Sequence, residues 1–168
     1  MLISHASVSP GQGHSTGRRL LSQLYETQYG RPMPQILTTE RGKPYFADET
    51  GYFSITHTKH HVFVALCDHP LGIDAEELTR KIDPRLADKI LSPFEKAQYD
   101  TARDKRLALL TFWVLKEAQA KCSGEGLRGY PNHTRFSLED PRVRTEHGCL
   151  LAVIEDELHK NQENDQAV

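Results

Sequence analysis

Apolar positions recur at helical spacing along Arg18 to Tyr29, where Leu20, Leu21, Leu24 and Tyr25 share one side and Gly30 offers a C-terminal cap. Residues 10–17 are rich in Gly, Ser and Pro and read as a loop. Arg31 to Pro34 breaks the chain, and Gly42-Lys43-Pro44 predicts a turn. Tyr52 to Ile55 and Val62 to Leu66 are β-branched and aromatic runs, two predicted strands with Thr56 to His61 near their junction. Asp68-His69-Pro70 turns the chain into a third strand, Leu71 to Glu76. Helix signals follow. Asp83-Pro84 pairs an N-cap with a proline at the first helical position, and Ser92-Pro93-Phe94-Glu95 is a capping box. Residues 103–122 predict the longest helix. Leu107, Leu109, Leu110, Phe112, Trp113, Val114 and Leu115 surround it, so its middle should be buried. Gly124, Gly126 and Gly129 punctuate a loop, Phe136 to Leu138 and Cys149 to Ile154 return as strands, and the tail from Glu155 to Val168 is polar.

The chain's 168 residues suffice for one domain or two small packed halves. With 38% hydrophobic and 26% charged residues the composition is that of a globular protein. The net charge of -2 gives no pull toward nucleic acid or a membrane surface. No apolar run approaches the roughly 20 residues of a membrane span, and the start lacks a signal-peptide pattern. Cys67, Cys122 and Cys149 are odd in number and lack a Cys-x-x-Cys spacing. That argues against a zinc site or a disulfide framework and points to a reducing cytoplasm.

Two stretches carry candidate chemistry. In Leu71-Gly72-Ile73-Asp74-Ala75-Glu76 a strand would put Asp74 and Glu76 on one face. Alone, such a pair reads as the polar face of an edge strand. Two acids on one face repel, however, and need a cation or a proton to coexist. In Trp113 to Lys121, Glu117 and Lys121 stand one helical turn apart. This is the spacing of an ordinary surface pair, but the preceding turns are too apolar for a solvated face. Three carboxylates and a lysine that converge suit a Mg²⁺ ion gripping a phosphate. Trp113 reads as core. His57 beside a strand reads as structural, and His57, His60 and His61 lack a further ligand at metal spacing. Arg18 and Arg19 at a helix start suit an anion, whereas Lys43 on its turn is weak evidence alone.

Taken together, Gly42-Lys43-Pro44, Ser54-Ile55-Thr56-His57-Thr58, Gly72-Ile73-Asp74-Ala75-Glu76 and Trp113 to Lys121 resemble a 4′-phosphopantetheinyl transferase of the two-halved type. That type includes enzymes that activate peptide synthetases and some acyl carrier proteins. The resemblance covers roughly residues 17–140, and Gly126-Leu127 fits the family's glycine-rich loop. It implies an α+β fold of two pseudo-symmetric halves, each a small antiparallel sheet packed on a long helix. The halves would span about 1–69 and 70–155, with a frayed tail at 156–168. It implies Asp74, Glu76 and Glu117 as Mg²⁺ ligands, Glu117 also as the base toward the carrier's serine, and Lys121 as the group that steadies the leaving phosphate. Arg18, Lys43, Pro44, Thr56 and His57 would contact coenzyme A, with His57 near the 3′-phosphate. The implied reaction moves 4′-phosphopantetheine from coenzyme A to a serine of an apo acyl or peptidyl carrier protein, releasing adenosine 3′,5′-bisphosphate. The expected enzyme is a cytoplasmic monomer. Thr56 stands where the family often has Ser, which keeps the hydroxyl. The segment before Ser54 is short for the family and implies a missing element on the adenine side. The rival reading is a non-catalytic module that binds coenzyme A or a carrier protein. An unrelated Mg²⁺-dependent phosphohydrolase would need more carboxylates or a phosphate-cradling glycine loop.

Overall fold

Strand β5 (His61–Cys67) shows how the layers are built, because almost every residue along it is buried. Val62, Val64 and Leu66 pack to one side with Leu20, Leu21, Tyr25 and Phe46. Phe63, Ala65 and Cys67 pack to the other with Ile73, Ala75, Leu151 and Val153. A strand buried on both faces reads as a continuous apolar run rather than an alternating one. The computed structural model describes residues 1–126 and 134–156. In it β5 lies between β1 (Leu2–Ser7) and β4 (Tyr52–His57), antiparallel to both. A second antiparallel sheet has the order β6 (Leu71–Glu77), β8 (Cys149–Glu155), β7 (Val143–Glu146). A hairpin of β2 (Ile36–Thr38) and β3 (Pro44–Phe46) stands apart from these two sheets. The fold is α+β, with small antiparallel sheets and packed helices.

The sheets share one apolar layer and carry helices on their outer faces. Helix α1 (Gly13–Tyr29) covers the first sheet. Helix α4 (Lys105–Ser123) covers the second, where Leu150, Ala152 and Ile154 meet Leu109, Phe112, Leu115 and Ala118. Between β6 and α4 the chain forms a single 3₁₀ turn at Pro84–Leu86, then α2 (Ala87–Ile90) and α3 (Pro93–Thr101). The expected caps form. Asp83 accepts from the Arg85 N–H, and Ser92 and Glu95 close a reciprocal capping box.

The structure departs from the sequence pattern in several places. Residues 13–17 belong to α1, not to a loop, because glycine there lets the helix lie against β4. A Cβ on Gly13 would stand 2.8 Å from the His57 ring, and one on Gly17 2.8 Å from Ile55. Phe136 to Leu138 is not a strand. Its backbone N–H groups go instead to side chains of α3: Phe136 donates to Glu95 and Leu138 to Gln98. Strands β1, β2, β3 and β7 were not expected, and Pro44, read as part of a turn, begins β3. Leu127, Gly129 and the tail beyond Asp156 lie outside the described residues.

Candidate functional site

Strand β6 turns alternate side chains to opposite layers. Leu71, Ile73 and Ala75 enter the layer between the sheets. Gly72, Asp74 and Glu76 are left on the face toward α4. The helix lies so close here that a Cβ on Gly72 would fall 2.0 Å from the Ala118 carbonyl oxygen and 2.4 Å from the Cys122 nitrogen. Glycine is required by this contact, and it brings Lys121 over Asp74. Lys121 Nζ donates to Asp74 Oδ1 at 2.7 Å.

Along the other side of β6 runs β4. Ser54 and Thr56 stand in for a neighbouring backbone. The Ile73 N–H donates to Ser54 Oγ at 3.0 Å and the Ala75 N–H to Thr56 Oγ1 at 3.3 Å. Thr56 in turn donates to Asp74 Oδ1 at 3.0 Å. Asp74 is only 6% exposed. Burial raises its pKa above the ordinary carboxylate range, against the opposing pull of Lys121, Thr56 and Arg80. Glu117 is also raised, first by burial and then by the charge of Asp74. These two acids therefore share a field in which a proton or a cation is favoured.

Asp74 Oδ2 is buried and has no hydrogen-bond partner among the described residues. A buried carboxylate oxygen without a donor is costly unless something else binds it. An oxygen donor set of Asp74 and half-buried Glu117 fits a hard divalent cation such as Mg²⁺. Glu76 shares the face but forms an ion pair with Arg80, whose guanidinium lies 5.6 Å from the centre of the Trp113 ring.

Beside these acids opens a cavity of about 470 Å³, in the size range of small-molecule sites. Arg18 and His14 line it from α1, Arg41, Lys43 and Pro44 from the β2–β3 hairpin, and Ile55 and His57 from β4. Glu117, Ala120 and Lys121 of α4, followed by Gly124 and Gly126, close the opposite wall. Lys43 Nζ also donates to the Cys122 carbonyl, and Gly124 leaves room for its alkyl chain. Thus Arg18, Lys43, Pro44, His57, Glu117 and Lys121 meet in one cavity, although they are distant in sequence. Thr56 is not on its lining, because its hydroxyl is taken up by β6 and Asp74. Arg18 sits beyond the first turn of a helix that begins at Gly13, so the helix terminus adds little to its pull on an anion. Arg80, His14 and Arg41 were not singled out as site residues from the sequence. Arg80 is signalled only by its four-residue spacing from Glu76.

Residues 70–164 match the profile of the 4′-phosphopantetheinyl transferase superfamily. The chain is 29% identical over 116 residues to the 4′-phosphopantetheinyl transferase psf-1 of Bacillus pumilus, an alignment covering 66% of this chain and 49% of that protein. It is 31% identical over 122 residues to the 4′-phosphopantetheinyl transferase gsp of Aneurinibacillus migulanus, with the same coverage. It is 34% identical over 113 residues to the 4′-phosphopantetheinyl transferase AcpT of Escherichia coli O157:H7, covering 64% of this chain and 55% of that protein. The chain thus spans about half the length of the curated relatives it matches.

Proposed function

We propose a function from one premise: the chain belongs to the 4′-phosphopantetheinyl transferase superfamily. It transfers 4′-phosphopantetheine from coenzyme A to a serine of an apo acyl or peptidyl carrier protein, with Mg²⁺. The carrying observation is the shared cavity. It sets cationic side chains of the first sheet's side opposite Glu117 and Lys121, with Asp74 beneath. Arg18, Lys43 and His57 bind the phosphates of coenzyme A, and Pro44 stiffens the turn that presents Lys43. Asp74 and Glu117 would hold the metal, with Glu76, now paired with Arg80, as the third acid on that face. A Mg²⁺ ion held by these acids would supply charge neutralisation for the pyrophosphate.

The remaining steps belong to side chains. Burial raises Glu117 toward the range useful for a general base, so it accepts the proton of the carrier's serine hydroxyl. The serine oxygen bonds to the phosphorus that carries the pantetheine, and Lys121 neutralises charge on the bridging oxygen, which departs with adenosine 3′,5′-bisphosphate. Thr56 acts on the acid rather than on the co-substrate by fixing the Asp74 carboxylate. Among the described residues no helix is long and apolar enough to cross a membrane, and we place the reaction with coenzyme A in the cytoplasm.

The test is incubation with coenzyme A, Mg²⁺ and an apo carrier, followed by mass spectrometry of the carrier. A gain of one phosphopantetheine is expected. Coenzyme A binding with no gain on any acyl or peptidyl carrier would leave the non-catalytic binding module in its place.

A further inference from the structure

The turn between the two sheets gathers a second set of donors, remote in character from the carboxylates under α4. Cys67 ends β5, His69 lies in the turn to β6, and Glu155 ends β8, where it pairs with Leu71. Their ligand atoms all lie within 4.8 Å of one another, the one such group of three among the described residues. His69 Nε2 is 2.5 Å from Glu155 Oε2, and Cys67 Sγ is 3.2 Å from both ring nitrogens. Behind the ring, His69 Nδ1 is 2.7 Å from Asp68 Oδ1.

This is how a metal-binding histidine is usually held. One nitrogen meets an orienting carboxylate and the other meets a second donor, Glu155, with the Cys67 sulfur beside the ring. Both ring nitrogens face carboxylate oxygens, and the Cys67 thiol donates to Asp68 Oδ1 at 3.2 Å. A tetrahedral ion with bonds of about 2.0–2.3 Å would set these donors roughly 3.3–3.6 Å apart, within about an ångström of the spacing seen. Cys67 and His69 are buried, whereas Asp68 is exposed.

We propose that Cys67, His69 and Glu155 bind a borderline-soft divalent ion of the Zn²⁺ class, oriented by Asp68. The mixed S, N and O donor set selects such an ion over Mg²⁺, which prefers oxygen alone. On binding, the Cys67 S–H proton and the proton shared by His69 Nε2 and Glu155 pass to solvent, and metal–thiolate, metal–imidazole and metal–carboxylate bonds form. The ion clips the end of β8 to the turn joining the two sheets, next to the bond from the Asp156 N–H to the Pro70 carbonyl. Cysteine spacing alone argued against zinc, because the third donor lies 86 residues beyond the Cys-x-His pair.

Co²⁺ is the probe. Titrated into the full chain, it should give one equivalent of thiolate-to-metal charge-transfer absorption. Cys67→Ser should abolish that band, Glu155→Ala should weaken binding at least ten-fold, and Cys122→Ser and Asp74→Asn should leave it intact. Zn²⁺ should raise the melting temperature of the wild type and not of Cys67→Ser. Absence of the band in folded wild type, or its survival in Cys67→Ser, would overturn the site and leave a hydrogen-bonded clamp of Cys67, Asp68, His69 and Glu155.

Discussion

Asp74 and Glu117 titrate above the ordinary values of about 3.9 and 4.3, so the folded chain holds their protons more tightly than the unfolded chain does. The sign follows from linkage. Stability from these groups is greatest below about pH 4 and is lost as pH rises through the raised folded values. Asp74→Asn should flatten that loss as pH rises above about 4 in metal-free protein. A cation that binds only the ionised acids should act in the opposite direction. Mg²⁺ at about 100 times its dissociation constant adds roughly 2.7 kcal/mol, so it should raise the wild-type melting temperature more at pH 7 than at pH 4. It should do little to Asp74→Asn, and transfer by that variant should fall on the order of 10²–10³-fold, the cost of losing one electrostatic contact in a catalytic site. Calorimetry across this pH range decides it, since equal Mg²⁺ shifts in both proteins would remove Asp74 from the metal. These acids and Lys121 were legible in the sequence because their spacings force them onto single faces of a strand and a helix. The ion pair of Arg80 with Glu76 was not, because it forms across the chain reversal that ends β6.

Two close approaches between elements set the site's geometry. In the first, α4 rests on Gly72 with backbone atoms that cannot yield. Gly72→Ala must push the helix away, and overpacking of this kind costs about 1–3 kcal/mol. Denaturant midpoints should fall accordingly, with transfer lost even where the protein stays folded. A midpoint equal to wild type would mean that α4 lies farther from β6. In the second, β4 meets β6 through the hydroxyls of Ser54 and Thr56. Thr56→Val keeps the shape but strands the Ala75 N–H and deprives Asp74 of a donor, a cost of about 1–3 kcal/mol, while Thr56→Ser should restore both. Because Thr56 holds the acid, kcat should fall with KM for coenzyme A little changed. A KM effect alone would return Thr56 to the coenzyme's contacts. Strand β6 and helix α4 were readable because apolar periodicity and capping are local signals. Helix α1 was read five residues short, since Gly13 and Gly17 look like loop residues until His57 and Ile55 are seen against them. Lys116 shows the same limit. It adjoins Glu117 in sequence, yet it turns inward to pair with buried Glu95 of α3 at 2.7 Å, and nothing local announces that partner.

Across the whole molecule, helix, sheet, sheet and helix stack in that order, and the cavity opens where the two sheets' strands β4 and β6 run side by side. One chain thereby supplies both walls of the site, which supports the proposal that it works as a monomer. Light scattering at micromolar concentration should give a single-chain mass. On the proposed function, the surface that receives the carrier lies within reach of Asp74 and Glu117. Beyond β6, residues Arg80, Lys81, Arg85 and Lys89 surround a shallow concavity with Ile82, Asp83 and Leu86. Arg85 is held at 2.6 Å by Asp83, which is lowered to about 2 by that contact. The patch is therefore mixed, but its cations outnumber its acid. An acidic carrier surface would be drawn there by charge steering, an effect that weakens as salt shortens the Debye length. The double change Arg85→Glu and Lys89→Glu should raise the apparent KM for the carrier about ten-fold at low salt. The change should shrink in high salt and leave KM for coenzyme A alone, because neither residue lines the coenzyme's cavity. Equal effects on both substrates, or none on the carrier, would move docking to another face.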